Sequence, residues 1–129
     1  MPLTSLMADA APLVTAPDGS DVRVLAATAR AGTALFTLPP HAVARAVAHR
    51  TVDEIWHVLA GSGRLWRRLG TAEDMADLRP GLTLTLPVGT MFQFRCDGTV
   101  PLVVFGVTVP PWPGADEAYP VAGPWTPSV

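Results

Sequence analysis

Seven runs of strand length, separated by glycine and proline, dominate this chain and leave little room for helix. They are TALFTL (33–38), VARAVAH (43–49), EIWHVLA (54–60), GRLWRRL (63–69), LTLTLP (82–87), FQFRC (92–96) and LVVFGVTV (102–109). Each alternates in polarity or is rich in β-branched and aromatic residues. The breaks between them, LPP, AGSG, RPG, PVG and CDG, carry turn chemistry. Only TAEDMADL (71–78) has the composition of a helical turn. Short strands at this spacing predict an all-β sandwich or barrel. The barrel is expected over residues 21–109, after an Ala-, Pro- and Asp-Gly-rich arm over 1–20. A Pro-rich tail over 110–129 carries Trp112, Tyr119 and Trp125, and is expected to pack on the barrel or on a second subunit.

A length of 129 residues suits one domain with a real core. The charge balance excludes several functions. The formal net charge is -2, lysine is absent, and Arg67–Arg68 is the only adjacent basic pair, so no nucleic-acid or polyanion partner is expected. No apolar run is long enough to span a bilayer, and the N-terminus lacks the pattern of a signal peptide, so no membrane partner and a cytoplasmic location are expected. Cys96 is the single cysteine, which rules out a disulfide framework or a Cys-based zinc cluster.

The segment from His41 to Gly61, together with GLTLTLPVG (81–89), resembles the two motifs of the cupins, small jelly-roll-like barrels of the double-stranded β-helix type. In the first motif, His49 falls on the second histidine, Glu54 on the glutamate and Gly61 on the closing glycine. Val47 stands where the family has its first histidine, and His41 where it has the opening glycine. In the second motif, Gly81, Pro87 and Gly89 are in register. Phe92 replaces the last metal-binding histidine, and Cys96 an asparagine. The resemblance implies an all-β cupin barrel and a homodimer, and an alanine face at Ala44, Ala46 and Ala48 would suit close contact with a second subunit.

If His49 and Glu54 point into the barrel, strand alternation gives them companions. Arg45 and Val47 share the face of His49, Trp56 and Val58 share that of Glu54, and Phe92 and Phe94 point inward from the last motif. The expected site is an apolar pocket with an imidazole, a carboxyl and the Arg45 guanidinium, a small-molecule site in character. Val47 and Phe92 cannot coordinate an ion, so no cofactor is expected. A divalent metal, if present, would rest on His49 and Glu54, with His41 or Gln93 as a third ligand. Without metal, His49 and Glu54 form an acid–base pair suited to isomerisation, dehydration or cyclisation of an apolar oxygenated metabolite, with Arg45 holding an oxyanion. The alternatives are a non-catalytic ligand-binding barrel and a metal enzyme with an atypical ligand set.

Overall fold

The computed structural model describes residues 3–129. In chain order the strands are β1 (Leu13–Thr15), β2 (Asp21–Ala27), β3 (Gly32–Leu38), β4 (Val47–His49), β5 (Asp53–Ala60), β6 (Gly63–Leu69), β7 (Ala72–Leu78), β8 (Thr83–Leu86), β9 (Met91–Cys96), β10 (Leu102–Val109) and β11 (Ala118–Pro120). They form two antiparallel sheets, ordered β1-β2-β3-β10-β5-β8 and β11-β4-β9-β6-β7. The inward faces of both sheets meet in one core. Among the described residues no helix is long and apolar enough to cross a membrane.

One segment differs from the sequence expectation. TAEDMADL is not a helical turn but β7, paired with β6 along its whole length. Its acidic residues find arginines across the hairpin: Asp74 takes a two-pronged hydrogen bond from Arg67, and Asp77 pairs with Arg64 at 3.0 Å. Cross-strand charge pairing supports a strand that local composition alone does not favour. The arm contributes a short strand of its own. Leu13–Thr15 adds a strand to the edge of the larger sheet, and the Asp18 carboxylate closes the following turn by accepting the Ser20 N–H and hydroxyl.

From residue 118 onward the tail joins the edge of the smaller sheet and then covers its outer face. β11 pairs with β4, and Val121 donates its N–H to the Ala46 carbonyl. Gln93, on the outer side of β9, is fully buried. Its amide donates to the carbonyls of Ala44 and Trp125 and accepts the Trp125 N–H. Of the three alanines expected to meet a second subunit, Ala46 and Ala48 pair with the tail and Ala44 packs into the core.

The larger sheet grades along its strands. Inward residues of β3 run Gly32, Ala34, Phe36, Leu38, and those of β10 run Thr108, Gly106, Val104, Leu102, in pairing register. Small residues face small ones at one end and large ones face large ones at the other. β5 complements the gradient: its larger inward side chains, Glu54 and Trp56, stand opposite Thr108 and Gly106, and the smaller Val58 stands opposite Val104. The large end closes into a packed core with Leu65, Leu78 and Phe94. The small end cannot fill its own volume, and an open cavity results.

Candidate functional site

That cavity has a volume of about 420 Å³, within the range typical of small-molecule sites. Its wall includes Phe36 from β3, Val47 and His49 from β4, Glu54 and Trp56 from β5, Phe92 from β9, and Gly106 and Thr108 from β10. The 14–18 segment lines one side, and Pro111, Trp112 and Gly114 of the tail line the mouth.

His49 and Glu54 meet here, with Nδ1 and Oε1 3.5 Å apart and both side chains buried. The imidazole stands edge-on to Phe92 at 5.2 Å and to Trp112 at 5.0 Å between ring centroids. Trp56 forms the floor, in edge contact with Phe92 and Phe94. Its buried indole N–H has no well-aligned hydrogen-bond partner. Gly106 leaves the room Glu54 occupies: a β-carbon there would collide with the Phe36 ring and stand 3.2 Å from Glu54 Oε2.

Burial separates the proton affinities of the pair. Desolvation of the cation lowers the His49 pKa to about 4, an effect the Glu117 carboxylate partly offsets. Desolvation of the anion raises Glu54 to about 8; the nearby Trp56 N–H works against that rise, and the negative charge of Asp18 adds to it. At neutral pH His49 is a free base and Glu54 a carboxylic acid. The pair is thus a neutral base beside a neutral acid rather than an ion pair.

Of the expected site residues, His49, Glu54, Val47, Trp56 and Phe92 share the cavity wall. The other three lie elsewhere. Arg45 is exposed and donates its Nε to the Val129 carbonyl. Residues 44–46 lie outside any strand, so the alternation that assigned Arg45 to the face of His49 does not hold there. Val58 and Phe94 are inward but belong to the packed layer beyond Trp56.

The four positions where a cupin holds its metal carry Val47, His49, Glu54 and Phe92, and Val47 and Phe92 offer no donor atom. Neither candidate third ligand reaches the pair: His41 is an exposed turn residue with positive φ, and the Gln93 amide is spent on Ala44 and Trp125. Among the described residues no three His, Cys, Asp or Glu side chains form a group that could hold an ion. The donor set does not fit a cupin metal.

Sequence reasoning missed Trp112, Phe36, Gly106, Thr108 and Asp18. The signal for Gly106 and Thr108 was present in LVVFGVTV, where the inward alternation passes from Leu and Val to Gly and Thr. Trp112 had no such signal, because nothing local directs a proline-flanked tryptophan into a cavity.

No family model matches the chain, and no curated protein does. Solved structures do. PAC13 of Streptomyces, solved with uridine, aligns with a TM-score of 0.73 and 11% identity over 94% of this chain and 92% of its own. KdgF from Halomonas sp. aligns at 0.67 and 19% identity, over 83% and 94%. Oxalate decarboxylase of Bacillus subtilis aligns at 0.62 and 18%, over 68% of this chain, which spans a quarter of that protein. These neighbours are cupins and include enzymes. The chain has the cupin fold.

Proposed function

We propose that this protein is a metal-independent enzyme that moves protons on an uncharged, oxygenated, ring-bearing metabolite, with His49 as base and Glu54 as acid. The observation that carries the reading is the buried His49–Glu54 pair, 3.5 Å apart at the wall of an apolar cavity. A pair whose environments push the two proton affinities apart is the usual mark of assigned acid and base roles.

The chemistry best suited to the pair is dehydration or isomerisation next to a carbonyl. His49 takes a proton from the carbon beside the carbonyl as that C–H bond breaks. In dehydration the C–O bond to a β-hydroxyl breaks and Glu54 supplies the proton with which the oxygen leaves as water. In isomerisation Glu54 protonates the enolate instead. Both leave imidazolium beside carboxylate, and proton return between them restores the starting state. Trp56 and Trp112 would hold the substrate's ring. The uridine in PAC13 supports a nucleoside-sized ligand, which a cavity of this volume admits.

The reaction needs neutral His49 and protonated Glu54 together. Activity is therefore expected to rise through about pH 4 and fall through about pH 8. A rate profile over pH 3–10 on an enolisable substrate measures this, and a rate that keeps rising beyond pH 9 would contradict Glu54 as the acid. Ligand of equal affinity in wild type and Glu54→Gln, with no turnover in either, would leave a binding protein instead.

Among the described residues no arginine lines the cavity, and two buried carboxyls, Glu54 and Asp18, do. A ligand anion would lose its hydration without gaining a counter-charge. Calorimetry is expected to give uridine monophosphate at least roughly 30-fold weaker binding than uridine, or about 2 kcal/mol. Equal affinity would contradict selection for uncharged ligands.

A further inference from the structure

His49 and Glu54 sit on different strands and are joined by the turn 50–52. None of the three turn residues lines the cavity, yet the turn fixes how far apart the pair stands. It is held from outside by one side chain. The Glu117 carboxylate accepts the Thr51 N–H at 2.6 Å, the Val52 N–H at 3.1 Å and the Thr51 hydroxyl. The Glu117 carbonyl accepts the Arg50 N–H at 2.9 Å. Arg50 binds the tail a second time, through Nε to the Asp116 carbonyl, and lies 4.7 Å over the Tyr119 ring. All three residues of the turn are thus tied to 116–119.

Glu117 is only 5% exposed and faces three donors. Burial pushes its pKa up, but the Thr51 and Val52 hydrogen bonds and the nearby His49 outweigh that and hold it below the usual range. A buried carboxylate on exposed-looking sequence (PGADEAYP) demands a reason. Five residues upstream, the same segment sets Trp112 edge-on against the His49 ring. The tail therefore touches the pair twice, once through the turn beneath it and once through the ring against it.

We propose that Glu117 is a positioning residue: by clamping the 50–52 turn and seating Trp112 on His49, it sets the geometry of the pair from the tail. The inference rests on His49 and Glu54 being the reacting pair, but its test does not need a substrate. The chain has three histidines, so His41 and His57 serve as internal references in an NMR spectrum of the ligand-free protein. The His49 ring protons, between Phe92 and Trp112, carry ring-current shifts that report their position.

In Glu117→Gln the His49 resonances are expected to move well beyond a linewidth while those of His41 and His57 stay in place, and Glu117→Asp is expected to restore most of the wild-type position. On a turned-over substrate, kcat should fall about tenfold to a hundredfold with KM little changed, the scale of a small misplacement of reacting groups. Unmoved His49 resonances in folded Glu117→Gln would overturn the proposal. If that variant does not fold, Thr51→Val, which removes one of the three bonds, takes its place: a smaller shift in the same resonances is expected, and its absence would overturn the proposal equally. Moved resonances in a protein with no turnover would count against the proton-transfer reading alone and leave the clamp standing.

Discussion

Glu54→Gln is expected to abolish turnover while leaving a folded protein that is more stable than wild type in alkali. Loss of a general acid costs about 10²–10⁴ in rate. The stability side follows from the raised affinity of Glu54 for its proton. Between pH 4.5 and about 8 the folded protein keeps a proton that the unfolded chain has released. Stability therefore falls as pH rises across that window, by up to about 1.4 kcal/mol per pH unit. Above it, a bare carboxylate stands among Trp56, Phe36 and Val47. Glutamine has nothing to release, so the variant should melt above wild type at pH 9 and close to it at pH 4. Thermal melts at the two pH values, paired with kcat, measure both effects. Equal melting temperatures at pH 9 would mean that the carboxyl is hydrated in the native state. His49→Ala should also abolish turnover, again with the fold intact.

Gly106→Val should be damaging through space rather than charge. Its side chain would enter the volume that now holds Phe36 and the Glu54 carboxyl. Overpacking of this kind costs about 1–3 kcal/mol. The strand itself accepts valine, since Val104 occupies the preceding inward position of β10. The expected result is a folded protein, lower in melting temperature, with a filled cavity and no measurable ligand binding. Gly106→Ala should show the same in smaller degree. Ligand binding that survives Gly106→Val would locate the ligand away from Glu54.

The all-β fold was legible in the sequence because alternation, β-branched and aromatic content and turn residues are local signals, and LTLTLP carries the alternation without interruption. The His49–Glu54 pair was legible only through the cupin motif, which supplied the register that brings two strands together. Arg45 was misassigned because alternation assumes an unbroken strand, and 44–46 is not one. TAEDMADL was misjudged because its strand state depends on arginines of the preceding strand. The parts contributed by residues distant in sequence, Trp112 at the mouth and Glu117 beneath the turn, leave no local trace. Their positions follow from how the tail lies on the smaller sheet.

The graded inward rows of β3 and β10 divide the labour of the barrel. Leu38, Leu102, Val58 and Phe94 anchor the fold at one end, and Gly32, Ala34, Gly106 and Thr108 leave space at the other. Gly32, Ala34 and Thr108 are therefore dials for ligand size that can be turned without disturbing the anchor, whereas Gly106 is kept small by Phe36 and Glu54. A library varied at Gly32, Ala34 and Thr108 alone should keep its members folded while their ligand preferences diverge. A lineage built on this barrel could likewise trade one metabolite for another by substitutions confined to the rim.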